Sequence, residues 1–188
     1  MPLPAGGTYN SVFALDNSNI WLVGNMGVLA KIMGGIAVSQ NSGTAAALYK
    51  LWALDQNTAW AVGDSVMLRW NGSTWQAVPV GSLALRGIWG FNANNVFAVG
   101  LNGVTLKWDG ATWATVSSGT SASLYAVWGP DPSDVFAVGT NGTILKWNGV
   151  MWSAQMSGTT ANLYSVWGSD INNVWVVGAN GTILKRTP

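Results

Sequence analysis

The chain has 188 residues, a formal charge of +1, and neither cysteine nor histidine. This composition excludes disulfide bonds and thiolate or imidazole metal sites, so we expect no metal ion and no cofactor. Eight Lys and Arg against seven acidic residues form no basic stripe, which disfavours nucleic-acid binding. No apolar run is long enough to cross a bilayer, and residues 1–10 lack the features of a signal peptide, so we expect no membrane insertion and find no sign of secretion.

Short β-rich runs alternate with turn sequences along the chain. The unit that begins at residue 124 contains the runs LYAVWG, DVFAVG, TILKW and MWSAQM, separated by GPDPS and two Asn-Gly turns and followed by SGTTAN. Gly, Asn, Pro, Ser and Thr supply the turn chemistry, whereas Val, Ile, Trp and Phe favour strands. Each unit therefore predicts four short strands.

The same unit recurs five times. A glycine after an aromatic, a small apolar residue and Val repeats in steps of 39, 37, 39 and 39, at Gly24, Gly63, Gly100, Gly139 and Gly178. An aromatic residue lies eleven positions earlier, at Phe13, Trp52, Trp89, Trp128 and Trp167. The repeats cover about 12–50, 51–87, 88–126, 127–165, and 166–188 with 1–11, within one domain of residues 1–188.

The period predicts a β-propeller. Four short antiparallel strands cannot bury both faces of their sheet alone, but sheets stacked radially bury them against their neighbours. We therefore predict an all-β, five-bladed propeller with four antiparallel strands per blade. Tandem hairpins in a β-sandwich are the rival architecture, although sandwiches rarely keep a five-fold sequence period.

All thirteen tryptophans follow the period. The first strand holds Trp52, Trp89, Trp128 and Trp167, and the second holds Trp21, Trp60 and Trp175, with Phe97 and Phe136 at the equivalent places. The third strand ends at Trp70, Trp108 and Trp147, and the fourth opens at Trp75, Trp113 and Trp152. Because none is left outside the repeat, we predict that they pack between blades instead of forming a binding surface.

The last repeat is shorter than the others. It supplies three strands between residues 164 and 186 and lacks the segment that corresponds to residues 150–154. We predict that the N-terminal residues provide its outer strand and so close the ring. Pro2 and Pro4 suit an edge position in such a strand.

Three segments, RWNGSTW, KWDGATW and KWNGVMW, place Asn or Asp and then Gly before a Trp. They resemble a degenerate Asp-box turn, S-x-D-x-G-x-x-W, of the sialidase-type BNR repeats. With WAVG and NGTIL, the unit also resembles repeats of the photosystem II assembly factor propeller and of bacterial propellers that carry VWGxxxxDVWAVG. The second resemblance implies a protein-docking role. A sialidase site would need an arginine triad and a glutamate, but glutamate is absent and Arg69, Arg86 and Arg186 occupy three different repeat positions.

Two periodic sets of charged residues lie at one end of the predicted sheets. The acidic or amide set after the first strand is Asp16, Asp55, Asn92, Asp131 and Asp170. We predict that each caps its own turn, because calcium needs several oxygens within one loop. The cationic set near the end of the third strand is Lys31, Arg69, Lys107, Lys146 and Lys185. We predict ion pairs with acidic residues of the same blade, with capture of anionic ligands as the alternative.

The candidate ligand-binding residues lie towards the opposite, nearly uncharged end and along the first strand. Turn amides and inner-strand side chains suit either neutral sugars or a protein partner. The set is Asn102, Asn141, Asn180, Lys50, Arg86, Tyr49, Tyr125 and Tyr164. Lys50 and Arg86 are cations that break the repeat.

No base, nucleophile or metal set occurs at a spacing suited to catalysis, so we predict that the protein is not an enzyme. The first hypothesis is lectin-like carbohydrate binding through several equivalent weak sites. The alternative is a structural or assembly protein, such as a virion or surface component or an assembly factor, that docks a protein partner. Competition of binding by a simple sugar would separate the two hypotheses.

Overall fold

The structure is a computed structural model and describes residues 7–186. Its regular structure is β-strand with single 3-10 turns, and the described strands form five antiparallel sheets. The chain divides into two compact units, Met1–Leu85 and Arg86–Pro188. Within the described part, no helix is long and apolar enough to span a membrane.

The first unit contains two four-stranded sheets, each paired in chain order. Sheet 1 consists of β1 (Tyr9–Asp16), β2 (Asn19–Gly24), β3 (Leu29–Met33) and β4 (Ile36–Ser39). Sheet 2 consists of β5 (Leu48–Asp55), β6 (Thr58–Gly63), β7 (Val66–Trp70) and β8 (Trp75–Ala77). The core lies between the two sheets, where the rings of Trp70 and Trp75 contact the edge of Trp21 at centroid distances of 5.1 and 5.2 Å.

The second unit contains three sheets. Sheet 3 consists of β9 (Leu85–Asn92), β10 (Asn95–Gly100), β11 (Thr105–Trp108) and β12 (Trp113–Thr115). Sheet 4 consists of β13 (Leu124–Asp131), β14 (Asp134–Gly139), β15 (Ile144–Trp147) and β16 (Trp152–Gln155). Sheet 5 has three strands in the described residues, β17 (Leu163–Gly168), β18 (Val174–Gly178) and β19 (Ile183–Lys185).

Sheets 3 to 5 pack through alternate residues of their strands. Phe97 and Val99 of sheet 3 lie in one core cluster with Val135, Trp147 and Trp152 of sheet 4. The next cluster repeats the pattern one sheet later, with residues of β13 and β14 against those of β17 and β18. Because successive side chains of a strand point to opposite faces, each inner sheet presents one apolar row to each neighbour.

Four sharp turns join the second and third strands of sheets 1, 3, 4 and 5. Their central residues are Met26, Asn102, Asn141 and Asn180, with φ between 55° and 56°. Asn adopts this left-handed conformation more readily than Met does. The glycine that follows each of them also has a positive φ.

The sequence correctly predicted an all-β chain with four antiparallel strands per repeat and three strands in the last repeat. The last repeat was predicted to include residues 1–11, but Tyr9 to Ser11 belong to β1 of sheet 1. Residues 1–6 lie outside the described range, so closure of the ring by the N-terminal residues stays a prediction. The prediction that all thirteen tryptophans are packed is wrong for two of them. Eleven are buried or half-buried, but Trp167 and Trp175 of sheet 5 are exposed, and among the described residues of the second unit no strand packs against their face.

Candidate functional site

The candidate site in the second unit lies at the end of the sheets that carries the Asn-Gly turns. Asn102, Asn141 and Asn180 have exposed side chains, and each occupies the left-handed position of its turn. The backbone N–H of Asn102 donates to Ser123 Oγ at 3.4 Å, and that of Asn141 donates to Asn162 Oδ1 at 3.1 Å. These bonds tie each turn to the chain that enters the next sheet.

The second residue of each first strand points towards the same end of its sheet. In the first unit, Asn10 Nδ2 donates to Asn25 Oδ1 at 2.8 Å, and the Tyr49 hydroxyl donates to Asp64 Oδ2 at 2.8 Å. Asn25 and Asp64 both follow the glycine that ends a second strand. The first-strand position therefore lies beside the turn between the second and third strands.

In the second unit, the structure brings two predicted residues together at this position. The rings of Tyr125 and Tyr164 lie 5.9 Å apart, centroid to centroid, with a tilt of 40°. Tyr125 is half-buried and Tyr164 is exposed. We call these two tyrosines, together with the exposed Asn141 and Asn180 of the turns at the same end of their sheets, the turn surface.

The two cations that break the repeat differ in their surroundings. Lys50 is exposed overall, but nearby protein atoms partly desolvate its ammonium group, which lowers the pKa of Lys50. Arg86 is half-buried and occupies the first-strand position of the tyrosines in sheet 3.

At the opposite end of the sheets, the acidic and amide set caps turns as predicted. Asp16, Asp55, Asn92, Asp131 and Asp170 each accept the backbone N–H two residues later, at 2.6 to 2.9 Å. A side-chain hydrogen bond from Asn173 and backbone N–H groups lower the pKa of Asp170, and Ser133 does the same for Asp131. Among the described residues, no three acidic side chains gather into a possible metal site.

Three of the five cations make a different contact from the predicted ion pair. Lys146 Nζ does pair with Asp134 Oδ1 of its own sheet at 2.6 Å. Lys31 and Lys185 instead lie 4.7 and 5.3 Å from the nearest indole centroid, and Lys107 lies 5.5 Å from one. Arg69 also lies over an indole, 5.2 Å from the ring centroid of Trp60. The prediction of an ion pair in each blade is wrong for Lys31, Lys107 and Lys185, because an aromatic face next to the third strand attracts the cation.

Sequence reasoning missed a cavity beside β19. It has a volume of about 420 Å³ and is lined by Phe136 and Ile144 of sheet 4, by Val174, Val176 and Leu184 of sheet 5, and by Arg186 at the end of β19. Arg186 stands where sheets 2, 3 and 4 have Trp70, Trp108 and Trp147. That departure from the repeat was the available signal.

No protein-family model matches the sequence, and no curated protein sequence is significantly similar to it. Solved structures do resemble its fold. YCF48 bound to a D1 peptide has a TM-score of 0.77 at 16% identity, over 100% of this chain and 68% of that chain. YCF48 from Cyanidioschyzon merolae has a TM-score of 0.73 at 18% identity, over 97% of this chain and 67% of that chain. The WD40 β-propeller domain of Doa1 has a TM-score of 0.75 at 12% identity, over 95% of this chain and 65% of that chain.

These similarities support the β-propeller fold. The predicted resemblance to the photosystem II assembly factor agrees with the YCF48 structures, whereas nothing among them supports BNR repeats. In the turns of RWNGSTW, KWDGATW and KWNGVMW, the Asn or Asp side chain caps the turn. Asn71, Asp109 and Asn148 each accept two backbone N–H groups at 2.8 to 3.0 Å. The carbohydrate hypothesis gains no support from these comparisons.

Proposed function

We propose that this chain is a non-catalytic protein-interaction propeller that binds an extended polypeptide on its turn surface. The observation that carries the proposal is the fold match, over the whole chain, to a YCF48 structure that holds a peptide. The fold alone does not specify a ligand, so the argument also needs a suitable surface. The proposal corresponds to the second hypothesis from the sequence, a protein partner, instead of a glycan.

The turn surface has the chemistry for such a partner. Tyr125 and Tyr164 offer large amphipathic rings that lose little conformational entropy on binding. The exposed amides of Asn141 and Asn180 can both donate to and accept from a peptide backbone. Neither an anionic nor a strongly cationic ligand is selected by these four side chains.

We also propose that the five sheets are five blades of a single propeller domain, residues 1–188. The sheet count, the five-fold sequence period and the propeller neighbours support this assignment. A scattering curve or an experimental structure of the purified chain tests it. A number of radial sheets other than five would overturn it.

Panning a random linear-peptide library against the purified chain tests the proposed function. We expect enriched peptides whose affinity falls about tenfold or more in Tyr164→Ala, because the exposed tyrosine is the main anchor. Val150→Ala is the matched control, since Val150 is exposed in the turn between the third and fourth strands, at the opposite end of sheet 4. Peptides that bind both variants equally would contradict the proposed surface.

A glycan array probed with the same protein gives the opposing outcome. Binding that a simple sugar competes away, with no enriched peptide, would replace the proposal with the carbohydrate hypothesis. We expect no sugar-competed binding.

A further inference from the structure

We propose that the polypeptide bound by the turn surface adopts the polyproline II conformation and places proline residues against Tyr125 and Tyr164. This class of peptide rests on the proposed function and makes it more specific. Three features of the second unit point to it: the geometry of the two tyrosines, the hydrogen bonds of the neighbouring turn, and the distribution of charge.

A β-bulge positions each tyrosine. The pairing of β13 with β14 changes register on either side of Tyr125, and the pairing of β17 with β18 does so on either side of Tyr164. A bulge leaves one residue unpaired and re-aims its side chain. The preceding residues, Leu124 and Leu163, are fully buried, so each strand turns from core packing to a ligand-facing ring within one residue.

The two rings are tilted towards each other instead of stacked. Their centroids lie 5.9 Å apart at an angle of 40°, and Tyr164 is 53% exposed. Rings at this angle do not cover each other as parallel rings do, so part of each face stays available to a ligand. A proline ring packs on an aromatic face with little loss of entropy, because its backbone torsion φ is already fixed.

The turn beside the tyrosines has no backbone N–H to offer to a partner. In sheet 4, each of the five N–H groups in residues 139–143 donates to an acceptor within the protein, at 2.8 to 3.1 Å. An added β-strand needs free backbone groups to pair with, so this turn is a poor template for one. A polyproline II peptide needs no such ladder, because its backbone makes no regular hydrogen bonds.

The turn surface offers side-chain donors instead. The carbonyl groups of a polyproline II chain are solvated and free to accept hydrogen bonds. The hydroxyls of Tyr125 and Tyr164 and the exposed amide of Asn141 can donate to them. Proline lacks an N–H, so its burial against the rings leaves no backbone donor without an acceptor.

The charges of the second unit lie away from this surface. Among the described residues of sheets 3 to 5, the charged side chains at the opposite end are those of Lys107, Asp109, Asp131, Asp134, Lys146, Asp170, Lys185 and Arg186. Arg86, on β9 of sheet 3, is the exception. A peptide on the two tyrosines is therefore selected by shape and hydrogen bonding, and we expect its affinity to change little with salt.

Deca-L-proline and deca-D-proline test the handedness of the bound peptide. Each carries a fluorescein label, and binding to the full chain is followed by fluorescence anisotropy. The two probes have the same composition, but the D form is the mirror-image helix. We expect the L form to bind about tenfold or more tightly than the D form, and to change by less than about twofold between low and high salt.

Variants of the protein connect this binding to the turn surface. Tyr125→Ala and Tyr164→Ala should each weaken binding of deca-L-proline about tenfold. Tyr125→Phe keeps the ring and loses the donor, and Asn141→Gly keeps the left-handed turn and loses the amide, so each should cost several-fold in affinity. Val150→Ala is the matched control and should have no effect. Thermal melts confirm that the variants are folded.

Equal binding of the L and D probes would overturn the inference. So would failure to bind deca-L-proline while peptides panned from the random library still bind and lose affinity in Tyr164→Ala, which would leave the proposed function intact. Binding of deca-L-proline that Tyr125→Ala and Tyr164→Ala leave unchanged would reject the turn surface itself. The failure of the peptide class and the failure of the proposed function are thus distinguishable.

Discussion

Sheets 4 and 5 carry nearly the same repeat but bury its residues differently. Trp128 is 5% exposed in sheet 4, whereas its counterpart Trp167 is 61% exposed. Phe136 and Val138 are 4% and 0% exposed, but their counterparts Trp175 and Val177 are 43% and 44% exposed. The sequence pattern is therefore the same on both sheets, and burial depends on whether another sheet lies against that face.

The difference in burial follows from what packs against each sheet. Leu163, Val166, Val174 and Val176 of sheet 5 pack against Trp128, Phe136 and Val138 of sheet 4. Among the described residues of the second unit, no strand packs an equivalent row of apolar side chains against Trp167 and Trp175. Apolar burial adds roughly 25 cal/mol per Å², so the same indole contributes very different amounts of stability in the two sheets.

Alanine at the two first-strand tryptophans tests this comparison with the largest expected effect. Trp128→Ala should lower the free energy of unfolding by about 3–5 kcal/mol, because it leaves a cavity between packed sheets. Trp167→Ala should lower it by about 1 kcal/mol or less, because its ring is already solvated. Urea unfolding followed by far-UV circular dichroism measures both values. Equal losses would mean that a further surface covers sheet 5 in solution.

The glycines of the second-to-third strand turns give a second contrast. A Cβ on Gly142 would collide with the carbonyl of Thr159, whereas a Cβ on Gly181 would meet nothing within 4 Å. Both have positive φ. Gly142→Ala should therefore cost about 3 kcal/mol from collision and strain together, and Gly181→Ala about 1 kcal/mol from strain alone. Thermal unfolding of the two variants checks the difference.

For the turn caps, we expect no difference in stability loss between sheets 4 and 5. Asp131 and Asp170 make the same local hydrogen bond, so Asp131→Ala and Asp170→Ala should lower the melting temperature by similar amounts, whatever covers their sheets. Asp170→Asn should keep the melting temperature at neutral pH, because its carbonyl oxygen still accepts the bond. Asn92 already does so in sheet 3.

The pH dependence of the same variants follows from the lowered pKa of Asp170. Hydrogen bonds hold this pKa below its ordinary value of 3.8, so the carboxylate's contribution is complete above that value. The contribution is lost as the pH falls through the folded-state pKa. The melting temperatures of wild type and Asp170→Asn should therefore diverge only in acid, with wild type falling more. Melts across the acid range test this, and parallel curves would contradict it.

The turn at Met26 offers the smallest expected effect. Met26 is exposed and holds a φ of 55°, where sheets 3, 4 and 5 use Asn. Met26→Asn should stabilise the protein by about 0.5 kcal/mol, because Asn tolerates the left-handed conformation better. Chemical denaturation measures the change, and Asn102→Met should give the opposite sign.

The local features of the fold were predictable from the sequence. Asp55 and Asn92 cap their turns, and the Asn-Gly pairs adopt positive φ, because both effects depend on residues that are close in the chain. Non-local features were predicted less well. The cations were expected to meet carboxylates, but Lys107 Nζ lies 5.5 Å from the indole centroid of Trp147, a residue of the next sheet. The spacing of the turns within one repeat does not show which side chain of the next sheet lies beside Lys107.

The candidate sites divide in the same way. The repeat placed Tyr125 and Tyr164 at equivalent positions, which was enough to expect a shared surface, and their rings do lie 5.9 Å apart. The cavity at β19 was not predicted, because its walls come from residues of two sheets that are far apart in the sequence.

The sequence by itself determined the strands, their antiparallel order and the chemistry of each turn, since these depend on side-chain alternation and on hydrogen bonds within a few residues. Only the tertiary structure decided which aromatic rings are buried, which cations stack on rings, and where a cavity remains. These properties depend on the sheet packed next to each residue, so similar repeats acquire different properties when the described strands of the unit cover one of them and leave another exposed.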